Sequence, residues 1–287
     1  PIIRRLLQRL ETLQRSVQRF GEGDLSVRVP EQGQDEVADL ARQFNAAATR
    51  IEALVKTHKS LLANASHELR SPLTRIRMGL ELMGGNQPSP AFREEILRNI
   101  AELDQLVDEI LLASRLDARE ADVGTVELVD LIGLAAEECA RVDAELDVTA
   151  VPEGLEVRGV AKLLRRALRN LLENARRYSQ GDITVVLQRH DGQAQVSVLD
   201  RGPGVPPALR ERIFEPFYRL PGASERAGGV GLGLALVRSI AQRHNGSVRC
   251  EDQPDGSGGA CFVLRLPLHS RPGTAAPAPQ REGTGAK

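Results

Sequence analysis

Leu62, Ser66, Leu69, Leu73, Ile76, Leu80 and Met83 recur at alternating steps of four and three, and this spacing narrows the possible folds more than any other feature of the chain. Residues three and four apart share one side of an α-helix, so the series is a narrow apolar stripe of the kind that coiled-coil-like seams bury. The spacing predicts a helix from about Arg50 to Met83, ended by the breaker Gly84-Gly85-Asn86-Gln87-Pro88. A second helix, from about Ser89 to Ala118, carries its own stripe of Ile96, Ile100, Leu103, Val107 and Ile110. Two narrow stripes on one antiparallel hairpin bury best by pairing with a second copy. The expectation is a homodimeric four-helix bundle.

On either side the periodicity changes. Upstream, two helical stretches are expected around Ile3 to Phe20 and Glu36 to Val55, joined by the glycine-punctuated connector Gly21-Glu22-Gly23-Asp24-Leu25-Ser26-Val27-Arg28-Val29-Pro30. Downstream, from about Val123 to Leu268, strands alternate with helices, including a hairpin from Asp182 to Asp200 turned by Asp191-Gly192. This predicts an α/β sandwich, one mixed sheet covered by three helices. After Leu268 the composition shifts to Pro, Ala and Gly, and a disordered tail is expected from about Ser270 to Lys287. A length of 287 residues with 41% apolar composition gives room for two or three domains with cores of their own. A net charge of −1 and 3% aromatic residues without tryptophan provide neither a phosphate-tracking surface nor a base-stacking platform, which disfavours direct nucleic-acid binding. Cys139, Cys250 and Cys261 lack metal-ligand spacing and read as reduced core thiols rather than zinc ligands.

Chemistry enters at Ser66-His67-Glu68-Leu69-Arg70-Ser71-Pro72-Leu73. His67 falls one residue past Ser66, on the flank of the seam where a ligand can reach it. A neutral imidazole is a good nucleophile near pH 7, and a carboxylate beside it fixes its tautomer and accepts the departing proton. Glu68 is placed for that role. Pro72 cannot donate to the carbonyl of Glu68, so a kink is expected just after the histidine. The octet resembles the H-box of sensor histidine kinases, in which the histidine takes the γ-phosphoryl group of ATP.

Such a reading requires a nucleotide site, and three further stretches supply its parts. In Leu168-Arg169-Asn170-Leu171-Leu172-Glu173-Asn174-Ala175-Arg176-Arg177-Tyr178, Asn170 and Asn174 lie four apart on one helix face. Their amide oxygens suit a hard Mg²⁺ ion that keeps several waters and bridges phosphates. Asp200-Arg201-Gly202-Pro203-Gly204 follows the alternating strand Gln195 to Leu199. A carboxylate at a strand end can accept from the exocyclic amine of adenine, and Gly202 and Gly204 let the backbone approach the base. Gly228-Gly229-Val230-Gly231-Leu232-Gly233 opens an apolar-periodic helix, where free amides and the helix dipole favour phosphate oxygens. It matches neither the P-loop nor the dinucleotide fingerprint. The interrupted segment between Gly202 and Gly229 reads as a mobile lid over ATP, with Phe214 and Phe217 as apolar anchors and Arg219 near the γ-phosphate.

Taken in order, these stretches resemble the N, G1, F and G2 boxes of the Bergerat (GHKL) type ATPase, with Ile213-Phe214-Glu215-Pro216-Phe217-Tyr218-Arg219 as the F box. The first 55 residues resemble a HAMP linker, with its proline start, Gly-Asp-Leu connector and Asp35-Glu36-Val37 entry to the second helix. The resemblance to sensor histidine kinases therefore covers nearly the whole chain. It implies a multidomain α and α/β protein: a HAMP coiled coil at 1–55, a dimerisation and phosphotransfer hairpin at 56–119, an ATP-binding domain at 120–269 and a tail at 270–287. It implies ATP and Mg²⁺ as ligands, with Asn170 and Asn174 at the metal. Arg177, Tyr178, Asp200, Gly202, Gly204, Gly229, Gly231, Leu232 and Gly233 are implied around the nucleotide.

The implied reaction is autophosphorylation of His67, then transfer to an aspartate in the receiver domain of a separate response regulator. Arg177 stands where the family usually has lysine, which replaces a point charge by a planar fork. Ser71 stands where many relatives carry threonine or asparagine to position the water that dephosphorylates the regulator. No stretch approaches the roughly 20 apolar residues that span a bilayer, yet the chain starts where HAMP linkers leave a membrane helix. The expectation is the cytoplasmic portion of a bacterial inner-membrane protein whose transmembrane segments are missing. Two rival readings are a Bergerat-type conformational ATPase and a non-catalytic dimeric nucleotide-binding scaffold.

Overall fold

The structure is a computed structural model that describes residues 2–82, 89–117, 124–221, 230–256 and 258–269. The hairpin breaker from Gly84 to Pro88, the tail and Gly229 lie outside the described residues. The chain divides into two compact units, Pro1–Ala118 and Arg119–Lys287.

The first unit is helical. Helix α1 spans Ile2–Gly21 and α2 spans Glu36–Leu82. Asp35 caps α2 by accepting from the Ala38 amide at 3.0 Å, and the guanidinium of Arg9 on α1 clasps the same carboxylate. That arginine, with the Ala38 amide, holds the Asp35 carboxyl well below the usual carboxylate range. The connector between the helices is held by Asn45, whose side chain bonds both the amide and the carbonyl of Val29 at 2.8 and 2.9 Å. Leu13, Val29 and Ala41 form a small core with Phe44 against it, and Phe20 meets Phe44 edge-on at 5.6 Å.

The two helices expected over about 36–55 and 50–83 are one helix of 47 residues. No glycine or proline occurs between Glu36 and Ser71, so nothing in the sequence stops the helix. It also continues through Pro72. Helix α3, Pro90–Asp117, runs beside it, with proline at the first helical position and the Ser89 hydroxyl accepting from the Phe92 amide. The face of α2 toward α3 is Leu61 and Ala65, at 3% and 5% exposure, and buried Pro72. The predicted seam is the neighbouring stripe: Leu62, Leu73 and Leu80 are 60%, 54% and 52% exposed.

The second unit contains strands β1 (Glu127–Asp130), β2 (Glu145–Asp147), β3 (Glu156–Gly159), β4 (Thr184–His190), β5 (Gln193–Leu199), β6 (Ser247–Glu251) and β7 (Cys261–Pro267). Helices α4 (Leu131–Val142), α5 (Ala161–Tyr178) and α6 (Gly233–Arg243) complete it. The main sheet has the order β2-β4-β5-β7-β6, parallel only between β2 and β4. A separate antiparallel ribbon of β1 and β3 accompanies it, built from strands too short to give a clear alternation. Asp191 and Gly192 both take positive φ, 48° and 72°, as a tight hairpin turn between β4 and β5 requires. Both faces of β5 are buried, because its polar side is a hydrogen-bonded layer: Arg265 donates to Gln195, and Gln195 donates to Ser197. Leu164, Ala167, Leu168, Leu171 and Ala175 of α5 and Leu236, Val237 and Ile240 of α6 belong to the core.

Candidate functional site

In the first unit His67 is exposed on α2, with Glu68 half-buried after it and Arg70 exposed. Ser66 and Thr74 return their hydroxyls to the carbonyls of Leu62 and Arg70, both at 2.8 Å. The exposed Ser71 hydroxyl instead accepts from Arg75 at 3.3 Å, and that guanidinium is anchored on α3 by Asn99 and Glu102, each at 2.7 Å. The helix thus presents an accessible imidazole with a carboxylate beside it and a hydroxyl one turn on.

In the second unit, α5 and α6 bring the predicted nucleotide residues together. Asn170 is buried, and its Nδ2 donates to the carbonyl of Gly233 at 3.0 Å. A carbonyl only accepts, so the amide nitrogen faces α6 and Oδ1 is the atom left for a cation. Asn174, one turn on, is half-buried on the same face, so the pair supplies two neutral hard oxygens and fits a Mg²⁺ ion that retains water. Arg177 and Tyr178 are exposed at the end of the helix.

Leu232 precedes α6 without a side-chain cap, so the first amides of α6 lack partners within the helix and its positive dipole end is open to an anion. Gly231, at φ 81°, accepts from the Phe217 amide at 3.0 Å. A Cβ there would meet the Phe217 backbone and the Tyr218 carbonyl at 3.0 Å. The F-box backbone is therefore packed directly on the glycine that leads into α6. Phe214 is buried against Phe262, with ring centroids 6.4 Å apart, and the guanidinium of Arg238 on α6 lies over its ring at 4.8 Å. It is an anchor within the core. Phe217 and Arg219 are half-buried, and the expected lid falls partly outside the described residues.

Asp200 is 3% exposed at the end of β5. Its Oδ1 accepts from the Gly202 amide at 2.8 Å and the Ala260 amide at 3.2 Å, and Gly204 takes φ 74° in the turn that follows. Three residues that the sequence reading missed hold this turn. Buried Ser179 accepts from the amides of Gly181 and Arg201, both at 3.1 Å, tying the end of α5 to the turn. Gln253 donates to the Asp200 carbonyl. Gly259, at φ 95°, lies so close to that carbonyl that a Cβ would be 2.0 Å from it. Ser179 directly follows the asparagine helix, which was its one sequence signal; the other two touch Asp200 across more than fifty residues.

Burial pushes the thiols of Cys139 and Cys261 up to about 11 and that of Cys250 to about 12, so all three stay protonated in the core. Among the described residues no helix is long and apolar enough to cross a membrane.

Comparison with known proteins returns three family models in the order of the motifs. Residues 2–53 match the HAMP domain, 57–119 the His Kinase A (phospho-acceptor) domain, and 159–270 the histidine kinase-, DNA gyrase B-, and HSP90-like ATPase. The Escherichia coli K12 sensor protein RstB is 36% identical over 262 residues, covering 89% of this chain and 59% of RstB. Sensor histidine kinase CpxA of the same strain is 36% identical over 247 residues, covering 84% of this chain and 54% of CpxA. The chain thus spans a little over half the length of both relatives. A solved structure of histidine kinase ThkA in complex with the response regulator protein TrrA shares the fold, with a TM-score of 0.60 at 24% identity over 82% of this chain and 68% of that one.

Proposed function

This chain belongs to the sensor histidine kinase family, and on that premise we propose that it uses Mg-ATP to phosphorylate its own His67 and passes the phosphoryl group to an aspartate of a response regulator. Residues 120–269 bind ATP, 56–119 dimerise and carry the phosphoryl group, and 1–55 relay the signal, followed by a tail at 270–287. The observation that carries the reading is the pinning of Gly233 by Asn170, which aligns the open amides of α6 with the asparagine face of α5.

In this scheme the triphosphate lies along the α6 amides, Asp200 accepts from the adenine amine, and Arg177 and Tyr178 edge the site. Gly202, Gly204, Gly231 and Leu232 shape the backbone around it. Asn170 and Asn174 are the residues that would hold Mg²⁺, which neutralises charge on the β- and γ-phosphates. One nitrogen of His67 attacks the γ-phosphorus in line; the N–P bond forms as the bond to the β,γ-bridging oxygen breaks, and ADP leaves. The proton on the other ring nitrogen passes to Glu68. The regulator aspartate then takes the phosphoryl group from the imidazole. The hydroxyl of Ser71, held by Arg75, orients the water for the reverse duty, dephosphorylation of the regulator. The chain acts as a homodimer and forms the cytoplasmic portion of a membrane-bound receptor.

The test is incubation with Mg²⁺ and γ-labelled ATP, comparing wild type with His67→Gln and Asn174→Ala. Base-stable, acid-labile label that disappears in both variants is expected. ATP hydrolysis without label on the protein would move the chain to the conformational ATPases; nucleotide binding without hydrolysis or label would make it a scaffold.

A further inference from the structure

Helix α6 is fastened to the α5 segment at both of its own ends. The fastening near the nucleotide site is Asn170 on Gly233, at 3.0 Å. The far one is His244, the residue that ends α6. Its Nδ1 lies 2.7 Å from the carbonyl of Ile240, and its Nε2 lies 3.0 Å from the amide nitrogen of Val160, the residue that leads into α5. A carbonyl only accepts and an amide N–H only donates. The hydrogen is therefore on Nδ1, the lone pair is on Nε2, and the ring is neutral.

The surroundings are shaped around this ring. A Cβ on Gly159 would come within 2.6 Å of its Cδ2 and 2.8 Å of its Nε2, so the glycine lets the imidazole reach the backbone. Asn245 takes φ 54°, and a Cβ on Gly246 would meet the Arg265 carbonyl at 2.1 Å; the chain beyond His244 is fixed as well. Val160 offers no side-chain cap to α5, and the imidazole occupies the amide just before that helix.

An α-helix of eleven residues is a short rigid rod, so holding one end sets the direction of the other. We propose that His244 is a positioning residue for the nucleotide site: its neutral ring, bridging Val160 and Ile240, holds α6 in line with α5 so that the amides after Leu232 face Asn170 and Asn174, and protonation releases the bridge. The proposal rests on the ATP-binding reading. A hydrogen on Nε2 would point at the hydrogen of the Val160 amide, and two donors cannot bond.

Burial, the largest effect, lowers the His244 pKa; the Ile240 carbonyl opposes this and Arg243 on the same helix adds to it. From β3 and α5 the ring meets the backbone of Gly159 and Val160, neither of which carries a charge. Because the folded state favours the neutral ring, its contribution is complete above the ordinary histidine range and is lost as pH falls through the lowered value.

The experiment measures affinity of the full chain for Mg²⁺ and a fluorescent trinitrophenyl-ATP between about pH 5 and 8. It compares wild type with His244→Gln, whose amide oxygen can accept from Val160 without titrating, and His244→Leu, which cannot accept. Wild type is expected to lose roughly tenfold more affinity than His244→Gln on acidification, the effect of one hydrogen bond. His244→Leu is expected to bind weakly at every pH. Nitrogen-15 spectra of the wild-type ring should show the neutral Nδ1–H tautomer at pH 7. Parallel pH profiles for wild type and His244→Gln, or a ring protonated on Nε2, overturn the proposal alone. Failure of wild type to bind nucleotide at any pH overturns the ATP reading and the proposal with it.

Discussion

Asp200 shows how far a residue's role can be read from its neighbours in the chain. The strand before it and the glycines after it mark a carboxylate at a strand end, and the structure places it there with Oδ1 engaged by the Gly202 amide. What holds it was not legible. Gly259 carries no motif that points to Asp200, and its purpose emerges only from the position of the Asp200 carbonyl, 2.0 Å from where a Cβ would stand. That neighbour is backbone and cannot swing aside. Gly259→Ala is therefore expected to displace the Asp200 turn, weakening nucleotide binding by roughly tenfold or more and costing about 1–3 kcal/mol of stability. Gly21, with nothing within 4 Å of its Cβ position, provides the control: Gly21→Ala should leave nucleotide binding unchanged. Titration with the fluorescent nucleotide and urea unfolding check both, and equal binding by the two variants would refute the positional argument.

Among the elements, α5 was the easiest to place and the hardest to understand in full. Its asparagine face and apolar face follow from helical spacing, but the fastening of its third side to α4 does not. Glu138 of α4 is 2% exposed and takes both nitrogens of the Arg169 fork at 2.9 Å, with Arg165 at 3.2 Å. The Arg169 hydrogen bonds, aided by Arg165, outweigh burial and hold the Glu138 carboxyl below its ordinary value of 4.5. The unfolded chain therefore binds the proton more readily. The stabilisation is complete above that ordinary value and is lost as pH falls through the lowered one. Glu138→Gln is expected to cost about 2–3 kcal/mol at neutral pH, less than a fully buried pair because both arginines keep some exposure. In urea unfolding at pH 7 and pH 3, the gap between wild type and variant should narrow in acid; a gap independent of pH would show that packing, and not the ion pair, carries the difference. Sequence reasoning missed this clamp because an arginine-rich helix reads as a solvated face until its partner helix is known. It divided α2 for the opposite reason, expecting two helices where the backbone, free of glycine and proline from Glu36 to Ser71, continues as one helix across the boundary of the HAMP and His Kinase A matches.

Over the whole molecule, that continuity gives the apolar stripes their meaning. Ala41 and Ala48, buried in the first part of α2, and Val55, Leu62, Leu69 and Ile76 are each seven apart in sequence. The buried face of the HAMP portion thus runs without a change of phase into the predicted seam. The stripe toward α3, containing Leu61, Ala65 and Pro72, is displaced by about one residue, or roughly 100° around the helix. One rod consequently presents two adjacent faces, one closing the hairpin and the other suited to a second copy. The distinction is testable because polar substitutions on the two faces should fail differently. Leu73→Asp, on the exposed stripe, should keep its helical circular dichroism while shifting sedimentation equilibrium toward monomer and lowering label on His67. Ala65→Asp buries an unpaired carboxylate within the hairpin and should lose helical signal and melting temperature first. If Leu73→Asp melted like Ala65→Asp without a prior change in self-association, the outer stripe would belong to the fold of the single chain, and the homodimeric bundle would lose its physical basis.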